Sequence, residues 1–447
     1  MKKMIFSRKA ILAFLIGATA VLAQHRGFTQ VQADSLLHDA GLAEVITYTL
    51  AHQPAIHQAA IDEEITALQI RSRLSTWYPQ VNFNYLYQHN FRVATSIIGG
   101  NPVRLGVSNT SALQFAVSQN LFDRDVLLAN RTKSTVLQQS RQESEETRIA
   151  YVASVSKSFY DVLTTRQQLR VNATNILRLQ RSLRDAKDRY DAGIVDKTDY
   201  KRATIALNNA LAAQKSTEAL LVARQEYLKS LMNYPEAAEL PLRYDSLSLE
   251  KEMELDTLQV PDFSQRIEYR MLETQKKLQM SGLQYYKWAF IPALSANGAY
   301  NLNYLNNSFS KLYQSSFPAS FAGLTLSFPI FQGGKRRFNV LQAQWELKRT
   351  DEALAGLRNS LNSQYQTALA GYKSSLAAYQ AVKENVVLAR EVYEVINLQY
   401  RAGVKSYLEV ITAETDLRTA EINYYNALYS VLSSKVDVQR SLGTLKY

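Results

Sequence analysis

Apolar and polar residues alternate for the most part along two stretches of this chain. In 81–91 the apolar Val81, Phe83, Tyr85, Tyr87 and Phe91 are separated by Asn82, Asn84, Gln88 and Asn90. In 294–304 the apolar Leu294, Ala296, Tyr300, Leu302 and Tyr304 alternate with Ser295, Asn297, Asn301 and Asn303. A period of two sends successive side chains to opposite faces of a strand. Each stretch is followed by a return run: Leu113, Phe115, Val117 and Leu121 against Gln114, Ser118 and Asn120, then Leu324, Leu326, Phe328 and Ile330 against Thr325 and Ser327. The pattern predicts strands over about 80–91, 112–122, 293–304 and 322–331.

Elsewhere the period is helical. No Pro or Gly interrupts 124–192, where Phe159, Val162, Arg166, Leu169, Ala173, Ile176, Gln180, Leu183, Lys187 and Tyr190 fall at spacings of three and four. Leu417, Ala420, Tyr424, Ala427, Val431, Ser434 and Val438 keep the same rhythm, and a sustained 3.5-residue period argues for coiled-coil packing. Leu163, Leu177, Leu211 and Leu221 fall off this stripe, which implies neighbours on two sides. Helices are predicted over 38–76, 124–192, 194–234, 262–290, 336–402 and 404–441. At 1.5 Å per residue the two long helices reach roughly 100 Å, and the shorter ones stacked end to end nearly match them.

The pattern occurs twice. Arg189-Tyr190-Asp191-Ala192-Gly193 recurs as Gln399-Tyr400-Arg401-Ala402-Gly403, Trp77-Tyr78-Pro79 as Phe290-Ile291-Pro292, and Asn120-Leu121-Phe122 as Pro329-Ile330-Phe331, at spacings of 210, 213 and 209. One repeat is expected over 24–234, a linker over 235–261, and a second repeat over 262–447. Pro79, Pro292 and Pro329 mark corners between helix and strand, because proline lacks an N–H and disfavours helix in the residue before it.

A strand of 9–11 residues crosses a bilayer when tilted, and an Asn, Gln, Ser and Thr face suits a wet lumen. The same strands read alone are also compatible with soluble hairpins. Four strands cannot close a barrel, and lipid does not tolerate an open edge, so a membrane sheet requires several chains; three would supply twelve strands. The long connections 92–110 and 305–320 then lie on the outer side.

The first 23 residues read as a secretory signal: Lys2, Lys3, Arg8 and Lys9, then the apolar run Ala10–Leu22, then small residues ending at Ala23. The alternative is an N-terminal anchor, but the run is shorter than the ~20 residues of a membrane span. There is no Cys, which excludes disulfides and thiolate metal sites. The net charge of +11 is spread along helices among many acids, a solvated surface and not a nucleic-acid site.

No phosphate loop, HExxH, GxSxG or GxGxxG occurs, and no cofactor or metal site is predicted. His52 and His57 share a predicted helix at a spacing poor for metal ligation. Interest falls instead on the two glycine turns. Gly193 and Gly403 end the long helices, as residues free to take a left-handed conformation do. Ser406 and Glu409 read as a capping box, and Asp196 and Thr198 as caps in the first copy. Glu409 and Asp199 have two readings, favouring the positive end of a helix or forming a mouth that meets another component. The 184–202 segment holds six bases and five acids, which suits polar docking.

In their order and duplication, Leu42-Ala43-Glu44-Val45-Ile46 with Pro54, Ser72 to Gln80, Phe328 to Gly334, Tyr400 to Gly403, and Ser441 to Leu445 resemble the TolC-like outer-membrane efflux family over nearly the whole mature chain. The resemblance implies a mixed α/β membrane protein. Its homotrimer would build a twelve-stranded barrel in outer-membrane lipid and a helical tunnel through the periplasm. It also implies docking to a periplasmic adaptor and an inner-membrane pump at a tip carrying Tyr190, Gly193, Asp196, Asp199, Tyr400, Gly403, Lys405, Ser406 and Glu409. Family members often ring the entrance with acids near the second turn; Glu409 fits, whereas Thr412 stands one turn on. The expected function is a passive exit duct opened by adaptor and pump. The alternative is a periplasmic coiled-coil scaffold.

Overall fold

Pro54 occupies the first position of a helix and splits the predicted 38–76 segment into α1 (Leu42–His52) and α2 (Pro54–Ser75). A proline there loses no intrahelical bond, and Gln53 before it is extended. The computed structural model describes residues 37–243 and 246–445, so the predicted signal lies outside the described residues. The chain divides into Met1–His38 and Asp39–Tyr447; of the first unit only residues 37 and 38 are described, and the architecture below is that of the second.

After α2 come β1 (Gln80–His89), a hairpin of β2 (Thr95–Ile98) and β3 (Asn101–Arg104), β4 (Asn109–Phe122), α3 (Arg124–Asp191) and α4 (Lys197–Met232). A short α5 (Ser246–Glu252) lies in the linker, followed by α6 (Ile267–Lys287), β5 (Ala293–Asn306), β6 (Ser316–Ser327), α7 (Lys335–Arg401) and α8 (Tyr407–Leu442). Helix, strand, strand, long helix and helix thus occur twice.

The main sheet has the order β1-β4-β5-β6, antiparallel throughout, so the two repeats meet at β4–β5 and the sheet edges are β1 and β6. Register puts Phe83 opposite Phe115 and Tyr85 opposite Leu113 on one face, and Asn84 opposite Gln114 on the other. The apolar face pairs rings, with the Phe83 and Phe115 centroids 4.9 Å apart. The polar face pairs amides and hydroxyls: Asn84 Nδ2 donates to Gln114 Oε1 at 3.2 Å, and Asn297 Nδ2 to Thr325 Oγ1 at 3.1 Å. Every residue of β1 and β6 is exposed.

The fourth strand departs from expectation. It spans Ser316–Ser327 in place of 322–331, and Phe328 and Ile330 lie in an irregular corner where Gly333 and Gly334 take φ of +56° and +83°. Pro318 masks the true start, since a proline inside a run argues against a strand except at an edge, which β6 is. Pro329 stands two residues past the strand end, on the strand-to-helix side, whereas Pro79 and Pro292 immediately precede β1 and β5. The 92–110 connection is not featureless but holds the β2–β3 hairpin.

The helices form a wall. Near the sheet α3 lies beside α2 and α6, with Arg270 Nη1 2.9 Å from Glu145 Oε1; farther out it lies beside α4 and α8, with Asn172 Nδ2 donating to Thr217 Oγ1 at 3.1 Å. α7 packs on α6 and then α8, as in the 2.6 Å pair of Lys276 and Asp351. Stacked short helices therefore alternate with long ones. The buried stripe of α3 passes through Leu163, Gln167, Asn175, Leu179 and Ala186, while Arg166, Gln180 and Lys187 of the predicted stripe are exposed. The linker straps this wall: Arg166 Nη1 donates to Leu242 O at 2.9 Å, and the Tyr372 hydroxyl to Met253 O at 2.7 Å. Among the described residues no helix is long and apolar enough to cross a membrane.

Candidate functional site at the paired glycine turns

The two long helices end in the same way. Gly193 N–H donates to Tyr190 O at 2.9 Å and Ile194 N–H to Arg189 O at 2.9 Å; Gly403 N–H donates to Tyr400 O at 3.0 Å and Val404 N–H to Gln399 O at 2.9 Å. Gly193 and Gly403 take φ of +73° and +78°, the left-handed region where a Cβ is penalised. Asp196 caps α4 by accepting from Thr198 N–H at 3.1 Å. The Tyr190 ring stacks on Tyr200 of the same hairpin, with centroids 6.5 Å apart and planes 15° apart.

Arg189 joins the two turns. Its guanidinium donates to Tyr400 O at 3.2 Å and Arg401 O at 3.0 Å and lies 4.5 Å from the centre of the Tyr400 ring. A cation there satisfies terminal carbonyls at the negative end of α7. Beneath it Ala186, Ala203, Tyr400, Tyr407 and Val410 form a buried cluster, with the Tyr400 and Tyr407 rings 5.6 Å apart. Burial raises the Tyr400 and Tyr407 hydroxyls above their ordinary range, and the Asp199 charge pushes the same way.

Glu409 is occupied locally. Its Oε2 accepts from Ser406 N–H at 2.9 Å and from the Ser406 hydroxyl at 3.0 Å, while Oε1 lies 2.6 Å from Lys405 Nζ. Lys405 and these bonds hold the Glu409 carboxyl down at about 2. Of its two readings, the helix-start role is therefore met within the chain.

Sequence reasoning missed Glu414. It is 2% exposed, and neither carboxylate oxygen has a hydrogen-bond partner among the described residues. Burial pushes its carboxyl up to about 7, opposed by the Arg178 charge. Arg178 itself pairs with Glu421 at 3.2 Å, and Arg390 with the same acid at 3.3 Å, so a charged seam ties α3, α8 and α7. Glu414 also borders a cleft of about 600 Å³ between α3, α4 and α8, with Asn175, Arg202 and Arg418 on its walls. The signal was present in the heptad: Tyr407, Val410, Glu414 and Leu417 share one inward line. Among the described residues no group of His, Asp and Glu is placed to hold a metal ion.

A sheet with one apolar face and two open edges, continued by helices of roughly 100 Å, defines a barrel-and-tunnel membrane channel. The chain belongs to the outer membrane efflux protein family, which matches residues 45–234 and 286–444, one stretch in each repeat. It is 22% identical over 452 residues to outer membrane protein TolC of Escherichia coli (strain K12), covering 98% of this chain and 87% of that protein. Outer membrane protein OprJ of Pseudomonas aeruginosa is 23% identical over 424 residues, covering 92% of this chain and 85% of its own. Among solved structures, CusC superposes with a TM-score of 0.74 at 16% identity, covering 91% of this chain and 95% of its own. The protein is an outer-membrane channel of efflux systems, in a transport family and not an enzyme family, and the scaffold alternative is not favoured.

Proposed function

We propose that three copies assemble by pairing β6 of one with β1 of the next, closing twelve strands in lipid and a helical tunnel beneath them. The open edges carry this reading. In hydrocarbon each unpaired N–H or C=O costs several kcal/mol, and the outer edges of β1 and β6 pair with no other described strand. The helical wall has matching open flanks, with Val387, Val392 and Leu398 exposed on α7 and Ile205, Val222 and Tyr227 on α4. The tunnel entrance is the glycine-turn end, and a periplasmic adaptor with an inner-membrane pump opens it by engaging the polar hairpins at 184–202 and 399–409. The duct itself is passive, and the pump supplies the energy.

The cysteine-free chain makes the assembly testable. Cysteines introduced singly on β1 and on β6, scanned through several registers in one chain, are expected to give cross-linked dimers and trimers in extracted membranes. A chain that stays monomeric in every pairing would refute the closure.

A further inference from the structure

Charge is distributed unevenly between the barrel and its base. Over 77–122 and 288–334 the charged side chains are Arg92, Arg104 and Lys311 alone, all in connections at the end of the sheet away from the helices. At the helical end bases outnumber acids by a wider margin than the 51 to 40 of the whole chain. α7 opens on Lys335, Arg336 and Arg337 and meets its first acid at Glu346. α2 carries Arg73 in its last turn and α6 ends on Lys287, with no acid after Glu64 and Glu273 in these helices.

The acids nearby are already committed. Asp123 caps α3 through the Asp125 and Val126 N–H groups, and Asp125 accepts from the Tyr285 hydroxyl. Arg131 rests its guanidinium 4.5 Å from the Trp288 ring centre, and Arg124 rests 4.6 Å from that of Tyr285. Lys287, Lys335, Arg336 and Arg337 form no ion pair with a described residue. Three cations at the positive end of a helix repel its dipole unless an anion lies beside them. Exposed Trp77, Tyr78, Phe290 and Phe331 sit at the same junctions.

We infer that this basic collar is a binding surface for the anionic phospholipid headgroups of the inner leaflet, with Lys335, Arg336 and Arg337 as its principal phosphate contacts. The inference rests on the outer-membrane location, which sets the strand–helix junctions at the depth of those phosphates. Aromatic side chains favour that boundary, and long basic side chains reach from it to headgroups. Arginine in addition matches phosphate with two parallel donors.

The test uses the full-length protein purified in neutral detergent, titrated with phosphatidylglycerol or phosphatidylcholine and read by native mass spectrometry and thermal melting. Phosphatidylglycerol is expected to bind and stabilise, phosphatidylcholine much less. K335Q/R336Q/R337Q is expected to lower phosphatidylglycerol affinity about a hundredfold, at roughly fivefold per base, while R336K/R337K retains most of it. Equal binding of the two lipids to the unaltered protein overturns the inference, whether or not the triple variant folds. So does inorganic phosphate reproducing the stabilisation, or a triple variant that changes the channel's ion selectivity and leaves lipid affinity intact, which would put these bases in the lumen. Extraction without detergent would instead sink the membrane reading beneath it.

Discussion

Glu414 faces Arg178 of α3, Tyr393 of α7 and Tyr407 of its own helix, and its carboxylate oxygens have no hydrogen-bond partner among the described residues. Burial disfavours the ionised form, so this acid binds its proton more tightly between the packed helices than in water. The sign follows from linkage. Below about 4.5 the acid is protonated whether packed or hydrated, and no stability depends on it. As pH rises from there to about 7 the packed state loses stability, and above 7 the loss levels off. Its ceiling is roughly 3 kcal/mol. Glu414→Gln is expected to flatten the fall in melting temperature between pH 5 and pH 8, and to reduce any rise in single-channel conductance over that range. An unchanged slope would dismiss the role. The residue was legible in principle as an acid on an inward heptad line. The absence of a partner was not, because that depends on three helices meeting.

At the scale of elements, periodicity and prolines located the long helices and three of the strands well. The fourth strand slipped because Pro318 lies inside it and Pro329 stands just past its end, and only a sheet edge makes the first of them acceptable. The phase of α3 slipped because a helix packed on two sides buries Gln167 and Asn175 as well as its apolar stripe. The Arg189 bridge was unreadable for another reason: it joins segments 211 residues apart whose meeting is set by the whole wall. Removing it should loosen one turn from the other. Arg189→Ala is expected to cost about 1–3 kcal/mol and to raise leak conductance in planar bilayers without preventing oligomers. Lys should rescue only part, since it keeps the charge and loses the fork. Leak equal to that of the unaltered channel would show that the turns hold together without it.

For the whole molecule, the register assigns each strand position to lipid or lumen, and neighbouring residues give opposite outcomes. Phe83→Asp places a charge on the apolar face, at a cost below the roughly 2–4 kcal/mol of a basic residue near the bilayer centre, and is expected to impair outer-membrane insertion. Asn84→Asp, one residue on, falls on the polar face and is expected to insert normally. Fractionation and heat-modifiable gel mobility distinguish the two, and matching behaviour would mean the faces are exchanged or the sheet is not in lipid.

The exposed margins of β1 and β6 also bear on the time before assembly. A freshly exported chain can knit its own central seam between β4 and β5 unaided, yet it then travels with two unsatisfied strand margins, each a template for indiscriminate pairing. Encounter with sister chains is concentration-dependent, whereas the internal seam is not. The interval between the two is when the chain is most prone to clump, and it is then that it most needs an escort.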